Sequence, residues 1–357
     1  MSKKKLLFLP KYPRKGASSR LRTFQFLPLW EKEGYAVSVS PFFTEEYLNS
    51  IYKYQSPGYW HVLKCYFRRF SLLFSVQKYD LIIIEKEIFP YLPAFAEWFL
   101  SKVNSYWVDY DDAVFHNYDQ KDNFMVSLLM PKKIDHVMKM ANRVIVGNDY
   151  LKKRAEMAGA KKIEVFPTVI DPKKYKVKED QKPIDTITIG WIGSPSTLKY
   201  LDPIVPILDW IHEHYPIKFL LVNGKSKMKF KGRIESIPWT EDGEVEAILK
   251  MDIGIMPLPD NPWERGKCAY KLIQYMACGL PVVASPIGMN KDVVIHGENG
   301  FLANSKEEWI SALGKLITDP QLRKEFGYKG MEKVLNEFTM EGNFYRYQKL
   351  VELELGD

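Results

Sequence analysis

The chain has 357 residues, 46% of them hydrophobic and 27% charged, which is an ordinary globular composition with enough apolar material for two cores. Its net charge of +7 is compatible with a phosphate-bearing partner or an anionic membrane face and demands neither. Cys65, Cys268 and Cys278 lack metal-ligand spacing, which indicates reduced thiols in a cytoplasmic protein. No stretch approaches the roughly 20 apolar residues of a membrane span, and the run Leu6–Leu9 is too short for a signal peptide.

Short apolar runs alternate with helical patterns in the first half of the chain, which indicates βαβ units and a parallel sheet. The predicted strands are Lys5–Leu9, Ala36–Ser40, Leu81–Glu85, Tyr106–Val108, Arg143–Val146 and Glu164–Phe166. The predicted helices between them are Ser19–Glu33, Val62–Val76, Pro90–Val103, Lys132–Ala141 and Asp149–Ala158.

The rhythm breaks at Thr168–Pro172, and the lysine-rich stretch that follows predicts a linker. Strands then resume at Thr186–Ile192, Lys218–Val222, Ile253–Met256 and Pro281–Ala284, and a last helix covers Met340–Leu355. We predict an α/β protein with two Rossmann-like, doubly wound domains: residues 1–172, a linker over 173–185, residues 186–338, and a C-terminal helix region, 339–357, able to pack back on the first domain. Ligands of open α/β sheets bind at the carboxyl ends of the strands, so we expect the site in a cleft where two such edges face each other.

The stretch Gly266–Gly288, GKCAYKLIQYMACGLPVVASPIG, combines cations with the start of a helix. A helix N-terminus offers unpaired N–H groups and a partial positive charge, which attract phosphate. Gly266 permits close backbone approach, Lys267 and Lys271 place cations one turn apart, and Gln274 follows one turn later. A diphosphate at the helix start with a ribose deeper along the helix fits that order. A solvated lysine face on a core helix is the alternative interpretation.

The segment Asp252–Asn299 resembles the donor-binding module of the family 4 glycosyltransferases, and the similarity continues through ENGFLANSKEEWISALGKLITDP. Upstream, ANRVIVGNDYLKKRA and VFPTVID are typical of the end of the first domain in that family. The resemblance implies a retaining enzyme with the two-domain GT-B fold. It also implies a nucleoside diphosphate sugar as co-substrate, and we expect no other cofactor.

The chain departs from that family's pattern at the donor site. Members usually carry two glutamates eight residues apart, one for the donor sugar and one for the ribose, where this chain has Gly266 and Gln274. Gln274 can still hydrogen-bond to ribose hydroxyls, and Glu264 is a displaced candidate for the sugar. Trp191 stands where members often have a diphosphate-clamping arginine. The predicted donor-binding residues are Gly16, Arg20, Ser194, Glu264, Gly266, Lys267, Cys268, Lys271 and Gln274.

The first predicted strand is followed by KGASSR, which opens a helix. Gly16 allows a tight turn, Ser18 or Ser19 can cap the helix, and Arg20 is expected to face the cleft. In the resembled family this loop approaches the donor phosphate and the acceptor, whereas a plain capped helix is the alternative. The predicted acceptor-binding residues are Ser18, Ser19, Glu87 and Asp111.

The sequence WVDYDDAVF places Asp109, Asp111 and Asp112 directly after a predicted strand, and Glu85 ends the neighbouring strand. Asp109 and Asp111 have the spacing of metal-binding aspartates in single-domain, metal-dependent glycosyltransferases. We favour carboxylates that orient sugar hydroxyls and predict no metal site. The predicted catalytic residues are Asp111, Asp112 and Lys271.

The segment Tyr52–Tyr79 contains five basic residues, nine aromatic residues and no acidic residue. Its phenylalanines fall on one helical face, and Lys64 and Arg68 lie on another. The pattern predicts either a surface helix on anionic lipid or a core-packed helix with a basic outer face. We expect no nucleic-acid partner, because no recognised binding motif accompanies these cations.

The sequence therefore predicts a hexosyltransferase-type, retaining glycosyltransferase that moves a sugar to a saccharide or lipid-linked acceptor, in cell-surface polysaccharide or glycolipid synthesis. A nucleotide-sugar epimerase and a catalytically silent sugar-nucleotide-binding or scaffold protein are the alternatives. We expect a cytoplasmic location, with peripheral binding to the inner face of the plasma membrane through residues 52–79 as an option. The sequence leaves open the sugar, base, acceptor, linkage and oligomeric state.

Overall fold

The computed structural model describes residues 3–53, 55–120, 124–178, 186–222 and 228–356. The chain forms two compact units. The first comprises Met1–Thr168, Arg265–Cys268 and Phe344–Asp357, and the second comprises Val169–Glu264 and Ala269–Asn343. Of the predicted linker, residues 173–178 belong to the second unit, and 179–185 lie outside the described residues.

The described part of the first unit contains a six-stranded parallel sheet in the order β2-β1-β3-β4-β5-β6. Its strands are β1 Lys5–Leu9, β2 Ala36–Val39, β3 Leu81–Glu85, β4 Tyr106–Tyr110, β5 Arg143–Val146 and β6 Ile163–Val165. The α-helices along it are Ala17–Ser19, Leu27–Lys32, Glu45–Tyr52, Tyr59–Leu73, Phe95–Val103, His116–Asp119, Phe124–Leu129, Lys133–Met140 and Asp149–Ala158, with a π-helix at Arg20–Phe24 and a 3₁₀ turn at Val76–Lys78.

The described part of the second unit contains another six-stranded parallel sheet, in the order β12-β11-β10-β7-β8-β9. Its strands are β7 Ile187–Ile192, β8 Ile217–Val222, β9 Arg233–Ile237, β10 Ile253–Met256, β11 Val282–Ala284 and β12 Gly300–Leu302. The remaining α-helices are Val205–His214, Glu244–Leu249, Pro262–Arg265, Tyr270–Ala277, Asn290–Val293, Lys306–Thr318, Pro320–Glu337 and Met340–Leu355, with 3₁₀ turns at Pro172–Lys174 and Pro195–Ile204. The predicted α/β class with two doubly wound sheets is confirmed.

The last helix supplies aromatic side chains to the core of the first unit. Trp30 is fully buried, and its ring centroid lies 4.7 Å from that of Phe344 and 5.4 Å from that of Tyr347. Tyr347 also stacks on the buried Trp107, with 6.0 Å between ring centroids. Such aromatic side chains bury a large apolar area each, so this part of the helix is integral to the first core. Among the described residues, no helix is long and apolar enough to span a membrane.

Two predicted helices are wrong in extent, and prolines account for both differences. The predicted helix Ser19–Glu33 is interrupted after the π-helix Arg20–Phe24, and Pro28 stands in the first turn of the helix that follows. Proline has no N–H to donate to the carbonyl four residues earlier, so it is tolerated in the first turn of a helix and does not continue one. The predicted helix Pro90–Val103 begins only at Phe95, after Pro90 and Pro93.

Strands β9 and β12 lie at the two edges of the second sheet and were not predicted. The residues of β9 are only half-buried or exposed, and β12 has three residues. Both strands lack the buried apolar run that marks a central parallel strand.

The helices Pro320–Glu337 and Tyr270–Ala277 meet at two glycines. A Cβ atom built on Gly327 would lie 2.0 Å from the carbonyl oxygen of Gly279, which has a left-handed φ of +72° just after the helix Tyr270–Ala277. Only a glycine at position 327 permits this close approach, because a backbone carbonyl cannot move aside as a flexible side chain can.

We expect Gly327→Ala to lower the free energy of unfolding of the second unit by about 1–3 kcal/mol, the usual cost of overpacking a core. The matched control is Gly314→Ala, which also lies within a helix, where the new methyl group would be an ordinary 3.6 Å from the Tyr215 hydroxyl. Because alanine favours helices over glycine, that control should be neutral or stabilising by up to about 1 kcal/mol. Urea unfolding followed by circular dichroism measures both, and equal stability of the two variants would contradict the packing described.

Candidate functional site

Two serines and a glutamate meet at the carboxyl edge of the first sheet. The loop after β1 leads into Ala17–Ser19, and β3, the neighbour of β1, ends at Glu85. Ser18 Oγ lies 3.1 Å from Glu85 Oε1, and Ser19 Oγ donates to Glu85 Oε2 at 2.5 Å. Ser18 Oγ also contacts Asp111, which directly follows β4. The structure thus brings together Ser18, Ser19 and Asp111, three of the predicted acceptor-binding residues.

Lys86 completes this cluster and was not predicted. Its ammonium lies 3.1 Å from Asp111 Oδ1 and 3.7 Å from Glu85 Oε1, and it donates to Ser18 Oγ at 3.0 Å. Lys86 is 4% exposed and has a φ of +70°, a left-handed conformation that is uncommon outside glycine. The only sequence signal for it is the polar triplet Glu-Lys-Glu directly after the apolar run of β3.

The pKa values of the two carboxylates in the cluster are shifted in opposite directions. Burial alone would raise the pKa of Asp111, but the Lys86 ammonium and the Ser18 hydroxyl outweigh burial and lower it. Burial raises the pKa of Glu85, and the nearby Lys86 only partly opposes this. Lys86 itself has a raised pKa, because the two carboxylates outweigh its burial. Asp111 is therefore the ionised acceptor of hydrogen bonds at this edge.

Asp109 is engaged elsewhere. Arg22 Nε donates to Asp109 Oδ2 at 2.9 Å and Arg22 Nη2 to Asp109 Oδ1 at 2.6 Å, a bidentate pair. Arg22 Nη1 also donates to the carbonyls of Phe166 and Pro167 at 2.8 and 3.0 Å. Both oxygens of Asp109 are thus held by an arginine, so the geometry disfavours the Asp109–Asp111 metal alternative. Within the described residues, no group of three or more His, Cys, Asp or Glu side chains is arranged to hold a metal ion.

Gly266 packs directly on the backbone after Asp111 and Asp112. A Cβ atom on Gly266 would lie 2.6 Å from Cβ and 2.7 Å from the backbone nitrogen of Ala113, both within the first unit. The buried Cys268 thiol donates to the Asp111 carbonyl at 3.2 Å, and burial raises its pKa, which keeps it protonated. Gly266 and Cys268 therefore hold the loop that carries the aspartates.

Lys267 lies in the same segment. Its carbonyl accepts from Asn148 Nδ2 at 3.0 Å, and its ammonium lies 3.7 Å from Asp112 Oδ1. The helix itself begins only at Tyr270, after Ala269 in a left-handed conformation with a φ of +51°. The prediction that Lys267 and Lys271 lie one turn apart on one helix is therefore wrong, because the backbone turns at Ala269.

Lys271 lies at the carboxyl end of β7 in the second unit. Its ammonium is 4.1 Å from the ring centroid of Trp191, a close cation–π contact. A Cβ atom on Gly193 would approach the same ammonium to 2.7 Å. Ser194 follows, with its Oγ 3.0 Å from Ser196 Oγ, and precedes the 3₁₀ turn Pro195–Ile204.

Gln274 and Glu264 are buried and hydrogen-bonded to tyrosines of the second unit. Gln274 Nε2 donates to Tyr175 Oη at 3.0 Å, and Tyr175 Oη lies 3.3 Å from Tyr270 Oη. Tyr200 Oη donates to Glu264 Oε1 at 2.5 Å. Both side chains are at most 5% exposed. Their predicted roles in binding the nucleotide-sugar donor stay predictions.

The other predicted residues of the first unit have structural contacts. A Cβ atom on Gly16 would lie 2.5 Å from Tyr12 Cβ, so this turn requires glycine. Arg20 is buried at the start of the π-helix. Glu87 contacts the buried Lys133 ammonium and accepts from Tyr118 Oη at 2.6 Å. These contacts place Glu87 in a separate ion pair, away from the hydrogen bonds of Ser18 and Asp111.

Residues 187–319 match the family model of the group 1 glycosyl transferases. Over 94 residues the chain is 35% identical to an uncharacterized glycosyltransferase of Methanocaldococcus jannaschii, which covers 26% of this chain and 24% of that protein. The matched segment therefore spans about a quarter of that relative's length.

Two solved structures resemble the chain over nearly its whole length. Sucrose-phosphate synthase from Thermosynechococcus elongatus aligns with a TM-score of 0.74 at 15% identity, over 98% of this chain and 99% of that one. Anabaena HepE in complex with UDP and glucose aligns with a TM-score of 0.66 at 15% identity, over the same shares. At these identities the likeness establishes the fold, and the predicted GT-B fold is confirmed.

We expect Lys86→Met to lower the free energy of unfolding by about 3–5 kcal/mol near neutral pH, because two buried carboxylates lose their cation. Methionine is also unbranched, so the backbone strain at this position is nearly unchanged. Without Lys86 the pKa values of Asp111 and Glu85 rise, so the variant takes up protons as the pH falls towards about 4. The difference in free energy of unfolding between the variant and the wild type therefore becomes smaller.

Denaturant unfolding across that pH range measures the effect. The control is Lys86→Met combined with Asp111→Asn, which removes one of the uncompensated charges and should recover part of the loss at neutral pH. A deficit that is independent of pH and is not recovered would show that strain or packing dominates, and not the buried charges.

Proposed function

We propose that this chain is a retaining glycosyltransferase of family 4 that moves a sugar from a nucleoside diphosphate sugar to a saccharide or lipid-linked acceptor. The match of residues 187–319 to the group 1 glycosyl transferases carries the proposal, since this segment includes β7 and the helix Tyr270–Ala277. In this proposal the second unit binds the donor and the first binds the acceptor, in the cytoplasm, for cell-surface polysaccharide or glycolipid synthesis.

A uridine diphosphate sugar is the donor to test first, because the HepE neighbour is solved with UDP and glucose. We assign the diphosphate to Lys271, which the Trp191 ring holds at the end of β7, and to the loop at Gly193 and Ser194. An ammonium at this point stabilises the charge that develops on the departing diphosphate. Gln274, whose amide is fixed by Tyr175, would face the ribose.

We assign the acceptor hydroxyl to the cluster of Ser18, Asp111 and Lys86. The ionised Asp111 accepts a hydrogen bond from the acceptor hydroxyl and orients its oxygen. That oxygen forms the new bond to the anomeric carbon as the bond to the diphosphate oxygen breaks, and the hydroxyl proton passes to the leaving diphosphate. Attack and departure on one face of the sugar retain its configuration.

The decisive assay is the release of nucleoside diphosphate with and without acceptor sugars. A transferase releases it in proportion to the acceptor added, an epimerase converts the donor without an acceptor, and a silent binding protein does neither. We expect release to continue in excess EDTA, because Lys271 supplies the diphosphate with a cation and Arg22 occupies Asp109. Loss of activity in EDTA with recovery on manganese would contradict the metal-independent part of the proposal.

We expect Lys271→Ala to weaken binding of the nucleoside diphosphate roughly tenfold to a hundredfold, since a hydrogen bond from a charged group contributes about 1.5–3 kcal/mol. The control is Lys250→Ala, which removes the same charge from an exposed position next to the amino end of β10. Isothermal titration calorimetry gives both dissociation constants. Equal constants for the two variants would remove Lys271 from the donor site.

A further inference from the structure

Exposed apolar side chains are concentrated in one part of the first unit. Among the described residues, 15 of the 22 large hydrophobic side chains that are exposed lie between residues 51 and 129. They belong mainly to three helices, Tyr59–Leu73, Phe95–Val103 and Phe124–Leu129, and to the segments next to them. Exposed apolar side chains in this number are typical of an interaction surface.

One alternative from the sequence was a helix that packs its apolar face on the core and exposes its basic face. The helix Tyr59–Leu73 has the opposite orientation, so that alternative is wrong. Its buried residues are Cys65, Arg69 and Leu73, and Arg69 Nη2 donates to the Ser40 carbonyl at 2.7 Å. Phe67 is 63% exposed, and Phe74, directly after the helix, is 80% exposed. The helix therefore buries an arginine and presents its aromatic face to solvent.

The neighbouring helix Phe95–Val103 continues this apolar exposure, and the helix Phe124–Leu129 carries further exposed side chains. The Phe89 ring stacks on Tyr66 and on Phe95 with centroid distances of 5.9 and 5.8 Å, which makes the helices Tyr59–Leu73 and Phe95–Val103 neighbours. Trp98 on the second helix is 58% exposed. On the third helix, Leu128 and Leu129 are both more than 60% exposed.

The charges within the stretches 51–79, 90–105 and 124–134 are mainly basic, and the exposed Glu46 Oε2 lies 3.3 Å from His61 Nδ1 on the helix Tyr59–Leu73. These stretches contain a single acidic residue, Glu97, which is buried and accepts from the Ile88 N–H at 2.8 Å. The exposed cations among them include Lys53, Lys64, Lys78, Lys102 and Lys132. An anionic lipid surface complements this pattern, whereas a second copy of the same face would bring like charges together.

We infer that the helices Tyr59–Leu73 and Phe95–Val103 form a docking surface that inserts its aromatic side chains among the headgroups of an anionic bilayer. Aromatic side chains partition to that depth, and the surrounding lysines bind the lipid phosphates. The interaction therefore extends beyond residues 52–79. Insertion of apolar side chains, which depends only weakly on salt, contributes more to the free energy of membrane binding than the attraction between charges does. Given the proposed function, docking on a bilayer favours a lipid-linked acceptor over a soluble saccharide.

Vesicle sedimentation tests the inference on the 357-residue chain without donor or acceptor, so its result is independent of glycosyl transfer. We expect binding to phosphatidylglycerol-containing vesicles that high salt weakens only in part. The triple variant Trp60→Ser, Phe67→Ser, Phe74→Ser should lose roughly tenfold or more in affinity, since each inserted side chain contributes through its buried area. The matched control, Tyr328→Ser, Leu335→Ser, Tyr345→Ser, removes exposed apolar side chains from other helices and should bind as the wild type does.

Two further experiments test how deeply the side chains insert into the bilayer and whether a second copy of the chain binds the surface instead. Lipids brominated on the acyl chains should quench the tryptophan fluorescence of the wild type, and Trp60→Phe with Trp98→Phe should abolish most of the quenching. Absence of sedimentation with anionic vesicles at low salt overturns the inference. Equal loss of binding in the control triple variant also overturns it. A dimer in sedimentation velocity that the test variant dissociates, without vesicle binding, would assign the surface to a second copy of the chain.

Discussion

The buried ion cluster of Lys86 with Asp111 and Glu85 is the interaction on which the first unit's carboxyl edge depends. Removing two carboxylates and an ammonium from water is costly, and the cost is offset only while each charge keeps its partner. The cluster also holds Ser18, so the loops that follow β1, β3 and β4 are fixed relative to one another. It further accounts for the left-handed backbone at Lys86, a conformation that persists only where surrounding contacts determine it.

The same edge accounts for the glycine at position 266, where the family that the sequence resembles usually carries a glutamate. Gly266 packs on the backbone of Ala113 so closely that any side chain would collide with it. The Cys268 thiol, two residues later, bonds to the Asp111 carbonyl. Gly266, one departure from the pattern of that family, therefore packs against the aspartate loop, and Cys268 bonds to the same loop.

The sequence predicts the central strands well and the site only in part. Strands β1, β3, β5 and β10 have the predicted bounds, because each is a short apolar run buried on both faces. Ser18, Ser19 and Asp111 could be placed at one edge because parallel strands bring their following loops together. Lys86 also directly follows a strand, but its contact with Asp111 and the pairing of Arg22 with Asp109 depend on tertiary packing.

The helix Tyr59–Leu73 shows the limit of amphipathic patterns most directly. Periodicity identifies two faces of a helix but not which of them is buried, and burial of the apolar face is only the usual outcome. Here the buried Arg69 donates from Nη2 to the Ser40 carbonyl at 2.7 Å and to the Pro10 carbonyl at 3.4 Å. Its inward position turns Phe67 outward. An aromatic face that this orientation leaves exposed is then available to a surface outside the protein.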